Sequence, residues 1–559
     1  MCAGSQLEPY ALAARLQTRD PAMHRHLNNI LIAAAITCSQ TTAQQLDEGR
    51  RPGALSVDAA QCSKWLHTLA SPEFAGRGTG QEGYRKAADF VAAHFQTLGL
   101  EARGDDGTYF QNMPWNQSRV TAATIVLKRG DETAFTIPAD RLGGNVSKST
   151  DVSGEVLLLN IKVPETRGRR MPRIDGLDDI EANGKVVVAI VRAARATMPF
   201  ARFAVMRGLQ GKNAAAFVFA NEEEVSGGIR AGGGMSRRGR NPAAAASNNR
   251  PLDVNIGGAD VTELLSYTTL NIDDLDKADL VTSTGLTANV KVTVESSDAP
   301  AMNVWAVLPG SDPILKDEYV VIGSHLDHLG ERRGTIYPGA DDDGSGTTGV
   351  LAVAQMFAKN EARPKRSVLF VCFSAEERGL IGSRFFVDNC PIPLASIAAE
   401  LQMDMIGRSE EESRDGGRLV NRGETAKDNL NVIHLVGTKK MSSQLHELCM
   451  QRNETAGFDI EFDQESLFTR SDHANFAYKG VPIAFFFTGI HKDYHQPTDT
   501  PDKIDYPKLL RIARYVYDIG FEVADAAQRP LIDPDLWSQF KKSDRRGRMP
   551  EKPATPMKK

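Results

Sequence analysis

The strongest constraint on how this chain folds is a set of apolar runs that stop abruptly in ionisable residues. Tyr319-Val320-Val321-Ile322 ends in Gly323-Ser324-His325-Leu326-Asp327-His328, and the run at 367–373 ends in Ser374-Ala375-Glu376-Glu377. Between them Gly339-Ala340-Asp341-Asp342-Asp343-Gly344-Ser345-Gly346 leads into a helical pattern. A short apolar run bounded by turn residues reads as a strand covered on both faces. Polar groups gathered just past such strand ends mark the ligand crevice of an open α/β sheet. Strands are predicted at 303–308, 319–323, 367–373, 397–405, 431–437 and 481–488, and helices at 346–359, 441–452, 471–478 and 506–526. The fold class expected is α/β, a mixed, largely parallel sheet flanked by helices, with an inserted β-rich domain.

With 559 residues the chain is too long for one ordinary core. We expect an N-terminal segment (46–135) and a main body (296–530) of one α/β domain, split by an inserted domain (136–295). A basic tail (531–559) is expected to be disordered, holding eight Lys or Arg against two Asp or Glu after position 540. The early arm reads as two helices, with Gly76-Arg77-Gly78-Thr79-Gly80 between them as a structural turn. That loop follows no strand and lacks the Gly-Lys-Ser/Thr ending of a phosphate cradle. The net charge of −5 gives no sign of nucleic-acid binding. Six irregularly spaced cysteines (2, 38, 62, 372, 390 and 449) without a CxxC offer no disulfide framework.

No run is long enough to span a membrane. Met23-His24-Arg25-His26, then Ile30 to Ile36 and small polar residues to Ala43, have the form of a secretory signal peptide, so 1–45 is read as signal plus upstream extension. Export to the periplasm or outside follows, with translation starting at Met23; Cys38 is an alternative lipid-attachment point.

Five residues at or just after strand ends suit a divalent ion: His325, Asp342, Glu377, Asp404 and His495. Five ligands with one carboxylate shared make two three-residue sets, the arithmetic of a two-metal site. Glu376, beside Glu377 but pointing differently, is free to act as a general base. Asp327, two residues after His325, is placed to accept the other ring N–H of that imidazole. Taken singly, each of these motifs reads more readily as a satisfied polar pair, a turn or a solvated helix start; together, in this order, they read as a site.

His325-Leu326-Asp327-His328, the Asp341-Asp342-Asp343-Gly344 loop, Ala375-Glu376-Glu377, Gln402-Met403-Asp404 and His495-Gln496-Pro497-Thr498-Asp499-Thr500 together resemble the co-catalytic di-zinc aminopeptidases. That family has plasma glutamate carboxypeptidase and the transferrin receptor as relatives. The resemblance covers most of 60–110 and 300–527, and 140–290 resembles the protease-associated domain inserted in many members. It implies a zinc-exopeptidase fold and two Zn2+ per chain bridged by Asp342. Glu377 and His495 would complete one set, His325 and Asp404 the other. It further implies Glu376 as base, a cis Asp342–Asp343 bond, and substrate-side roles for Asp472 and His473. Peptides are the expected substrates, attacked from a free N-terminus. Two alternatives stay open. One is a carboxypeptidase or dipeptidase holding a substrate carboxylate with Arg408 or Arg470. The other is a binding module whose metals are structural. Ala484-Phe485-Phe486-Phe487 is read as a packed core strand, and His328, His434, His446 and His491 have no assigned work.

Overall fold

The computed structural model describes residues 52–543 apart from 147, 164–173, 193–197, 221–228, 232–251, 269, 271–274, 276–279, 333, 391 and 416–417. The expected signal segment with Met23 and Cys38, and most of the stretch at 227–249, lie outside the described residues.

Six strands form the centre of the first sheet: β1 (Met302–Leu308), β2 (Tyr319–His325), β3 (Ser367–Phe373), β4 (Ile397–Met403), β5 (Val432–Val436) and β6 (Ile483–Phe487). This nine-stranded sheet runs from the short strand Glu101–Ala102 through β1-β3-β2-β4-β6-β5 to Asp459–Glu461, with Phe110–Asn112 also on β1. Strands β3, β2, β4 and β6 run parallel, while β1 runs antiparallel to β3, and β5 antiparallel to β6 but parallel to Asp459–Glu461. The mixed, largely parallel sheet is the one expected. Its parallel strands bring His325, Phe373, Met403 and Phe487 to one edge.

Side chains alternate across a strand, so a strand buried on both sides needs apolar residues at every position. Val304, Ala306, Leu308, Val320 and Ile322 pack into one core with helices α1 (Ala59–Leu69), α2 (Glu82–Thr97), α3 (Gly346–Ala358) and α4 (Tyr506–Asp525). Trp305, Val307, Val321, Leu369 and Val371 pack into another core on the opposite face, with Phe386 and Phe476. Asp58 caps α1 through the Gln61 N–H, and Asp505 caps α4 through the Lys508 N–H.

The second nine-stranded sheet is built entirely from 116–298, in the order Glu132–Pro138, Asn116–Arg129, Val281–Asp298, Thr150–Lys162, Val186–Arg192, Ala216–Ala220, Leu252–Ile256, Gly143–Val146, Ile229–Ala231. It starts earlier than the expected boundary at 136. Asn116–Arg129 pairs antiparallel with Val281–Asp298 from Asn116↔Asp298 to Lys128↔Thr287, which draws the strand out of the α/β unit. Only alternate residues of that strand, Ala123, Ile125 and Leu127, are buried, so it reads weakly as a strand in sequence.

The tail is corrected as well. Residues 534–543, expected to be disordered, form the helix Pro534–Ser543. Trp537 and Phe540 are buried, Phe540 packing on Phe468 and Tyr478. No helix among the described residues is long and apolar enough to cross a membrane.

Candidate metal centre

All five expected ligands converge at the C-terminal edge of β2, β3, β4 and β6. His325 is the last residue of β2, Glu377 follows β3, Asp404 follows β4, and His495 lies in the loop after β6. Asp342 sits in the irregular turn Ala340–Ser345 that opens α3, and the Asp342–Asp343 bond is cis. Its two carboxylate oxygens face different partners. Oδ1 lies 3.4 Å from His325 Nε2, and Oδ2 lies 3.1 Å from His495 Nε2. His325 Nε2 is also 3.5 Å from Asp404 Oδ1, and His495 Nε2 is 3.2 Å from Glu377 Oε1. One carboxylate therefore links two groups of donors.

The donor set fits divalent ions. Asp342 Oδ2 and Glu377 Oε1 are buried without a hydrogen-bond partner, although imidazole nitrogens lie close by. Lone pairs that converge on one point without meeting a proton are what an ion requires, and imidazole with carboxylate suits zinc. Charge points the same way. Burial raises the Glu376 carboxyl well above its ordinary range, with Glu377, Asp404 and Asp472 adding to it against His325. Burial also pushes on Asp342, yet His328, His325 and His495 outweigh it and hold that group well below the usual range. Glu377 falls to about 2, since His328 and His495 overcome burial and Asp342. Such a buried crowd of carboxylates is balanced by cations.

Three other sequence expectations change. Asp327 does not take the His325 ring N–H through its carboxylate, which lies 3.9 Å away; its backbone carbonyl accepts it at 2.9 Å. The carboxylate instead accepts the Glu376 backbone N–H at 3.0 Å and the Thr79 hydroxyl at 2.9 Å, which fixes the turn carrying Glu376. Asp472 and His473 are fully buried, and neither lines the cavity over the donors. His473 stacks on Phe485 with ring centroids 4.5 Å apart, behind the cavity wall. Burial drives the Asp472 carboxyl up to about 8 and the His473 imidazole down to about 3.

Sequence reasoning missed several residues. The Gly76–Gly80 loop is more than a turn. Arg77 is fully buried and donates to the carbonyls of Leu326, Leu69, Pro338 and Gly339 at 2.8–2.9 Å, clamping both ligand loops. Asp499 accepts the backbone N–H groups of Asp341 and Asp342 at 3.0–3.2 Å. His328 lies beside Glu377, its Nδ1 2.9 Å from Oε1. An arginine flanked by glycines, and a second histidine three residues after the first, were the available signals.

A cavity opens over the donors. His325, Asp342, Glu376, Asp404 and His495 line one side, and Met405, Leu467, Phe485, Phe487 and Ile490 supply an apolar wall, with Arg470 and Tyr494 beside them. Phe485 and Phe487 are thus wall residues as well as packing, while Phe486 on the opposite face belongs to the α4 core. Arg470 pairs with Asp415 at 2.8 Å and with the Tyr494 hydroxyl at 3.0 Å; Arg408 is held by Asp493 at 3.2 Å.

Fold and site together define an α/β domain with a cluster of carboxylates and imidazoles suited to metal at its strand ends. Residues 303–519 match the profile of Peptidase family M28. Leucine aminopeptidase 1 of Ajellomyces dermatitidis is 30% identical over 267 residues, 44% of this chain and 65% of that protein. Leupeptin-inactivating enzyme 1 of Streptomyces exfoliatus is 31% identical over 199 residues, 35% of this chain and 38% of the other. The chain thus spans less than two thirds of either relative. Among solved structures, the aminopeptidase from Aneurinibacillus sp. strain AM-1 shares the fold. Its TM-score is 0.51 at 20% identity, over 85% of this chain and 96% of that one.

Proposed function

We propose that the chain is a zinc-dependent aminopeptidase that removes N-terminal residues from peptides. The observation that carries this reading is the split carboxylate of Asp342, one oxygen toward His325 and the other toward His495. On this reading His325, Asp342 and Asp404 hold one zinc, and Asp342, Glu377 and His495 hold a second. Zinc held there supplies Lewis acidity to the scissile carbonyl and makes a water acidic near neutral pH.

The chain's own residues do the rest. Glu376 takes the proton from the attacking water and returns it to the leaving amine. Its turn is fixed by the Asp327 carboxylate. The apolar wall of Met405, Leu467, Phe485, Phe487 and Ile490 receives an apolar side chain of the N-terminal residue, in keeping with the names of the leucine aminopeptidase relatives. Arg408 and Arg470 are each engaged by a carboxylate, which speaks against the carboxypeptidase alternative. Export is part of the proposal and rests on the segment from Met23 to Ala43.

The test is mass spectrometry of free and N-acetylated peptides incubated with the purified chain, with and without chelator. Chelator-sensitive shortening from free N-termini only is expected. Shortening of blocked peptides from the other end would move the activity to carboxypeptidase. No shortening with metal bound would leave a binding role.

A further inference from the structure

We infer that His328 is a fourth protein ligand at the metal position formed by Asp342, Glu377 and His495, so that this position is closed while its neighbour stays open. The inference rests on the two-zinc reading above and adds a residue to it.

His328 is 2% exposed; among the described residues its Nε2 has no hydrogen-bond partner, and its Nδ1 faces the Glu377 carboxylate without well-aligned hydrogen-bond geometry. Burying an imidazole without well-aligned hydrogen bonds is costly unless a ligand takes one of its nitrogens. The surroundings are built around the ring. Its backbone N–H is held by the Arg77 carbonyl at 3.2 Å. A Cβ on Gly339 would come 2.5 Å from His328 Cγ, so only glycine leaves that space.

The distances single out a shared point. His328 Nδ1 lies 2.9 Å from Glu377 Oε1 and 3.6 Å from Asp342 Oδ2. His495 Nε2 lies 3.2 Å and 3.1 Å from the same two oxygens. A tetrahedral zinc with bonds of 2.0–2.1 Å keeps its ligands about 3.3–3.4 Å apart. Four of the six edges of such a tetrahedron are present within a few tenths of an ångström.

Among the described residues the other position has no fourth side chain left free for an ion. Asp343 is close to His325 and Asp404. Its Oδ1 already accepts the Gly346 and Met405 N–H groups, and its Oδ2 the His325 N–H. His325, Asp342 and Asp404 therefore stand alone there, and all three line the cavity. A site with four protein ligands is closed, whereas three leave room for water or substrate. The two positions are then unequal. The two-imidazole position fills first and holds zinc more tightly; the oxygen-rich position exchanges and faces the substrate.

The test uses the full chain, stripped with a chelator and reloaded. X-ray absorption of the form carrying one zinc equivalent should count two imidazoles on the ion, falling to one in His328→Gln. Competition titration should give two binding steps in the wild type. In His328→Gln the tighter step should weaken by more than about 100-fold, beyond what loss of an outer hydrogen-bonding partner causes, with the weaker step unchanged. His328→Asp, which restores a donor, should recover part of the loss; if His328→Gln fails to fold, this variant carries the comparison. A single imidazole on the first zinc of the wild type, or a titration unchanged by His328→Gln, would overturn the inference and leave the two-zinc reading intact. Fewer than two zinc ions on the wild type would end that reading and this inference with it.

Discussion

Arg77→Lys is the most informative single change. The Arg77 guanidinium is fully buried and gives four hydrogen bonds to backbone carbonyls, one on the loop after β2, two on the Pro338–Gly339 segment before Asp342, and one at the end of α1. A lysine ammonium keeps the charge but lacks the planar fork, so it reaches at most about two of these acceptors. Each carbonyl left unpaired in a buried setting costs about 1–3 kcal/mol, so two of them cost roughly 2–6 kcal/mol. That is a large part of the 5–15 kcal/mol typical of a folded domain. Because the acceptors carry the loops of His325 and Asp342, the loss should fall on the metal centre as well as on stability. Urea unfolding followed by near-ultraviolet circular dichroism, with metal content measured on the same samples, checks both. A chain this long need not unfold in two states, so the comparison is of midpoints. An Arg77→Lys variant with an unchanged midpoint and full metal content would refute the idea that this side chain holds the two loops.

Glu376→Gln should keep its metal content and lose about 10²–10⁴-fold in kcat; near-normal turnover would remove Glu376 from the role of base. Gly346→Ala should lower metal content and stability. The added Cβ would sit 2.4 Å from both Asp343 carboxylate oxygens and from the Met403 carbonyl; a fully loaded variant of unchanged stability would contradict this. His434 lies between Glu410 Oε1 at 3.1 Å and Asp463 Oδ1 at 3.0 Å. Burial pushes its imidazole down, but Glu410 and Asp463 outweigh that and raise it above its ordinary value. A raised histidine stabilises fully below its unfolded value of about 6.5 and loses that contribution as pH rises through the folded value. The stability advantage of wild type over His434→Gln should therefore be largest near pH 6 and shrink above it. An advantage that grows with pH would disprove the pairing.

The first sheet was legible because its central strands are near-continuous apolar runs bounded by turn residues. The candidate ligands were legible because His325, Glu377 and Asp404 stand at or just after the ends of such strands, as His325 does after Val320-Val321-Ile322. What escaped notice follows a different logic. Arg77 acts on carbonyls 249 and 262 residues away, and no local pattern announces such a partner. Asp327 was assigned to the right neighbourhood, yet a carboxylate two residues from a histidine can turn toward it or toward another backbone. Here it turns to Glu376. Asp472 and His473 share a motif with the cavity wall but lie behind it, a matter of depth that spacing does not encode. Charge hid the helix Pro534–Ser543. Its lysines suggested an unstructured tail, while Trp537 and Phe540, one turn apart, supply its buried face.

The second sheet enters and leaves the chain at neighbouring points. The Trp115 carbonyl accepts the Ala299 N–H at 3.0 Å, the Ala301 carbonyl accepts the Met113 N–H at 2.9 Å, and the two strands pair outward from there. To the rest of the molecule, residues 116–298 are thus the far end of a hairpin. Such an insertion is modular. Replacing it by a tight two-residue turn between 115 and 299 would close a gap that is already closed. The β1 register and the order of the strand ends behind it would stay as they are. A lineage could exchange, enlarge or discard this unit as a cartridge without re-optimising the centre, because the two share a neck and not a core.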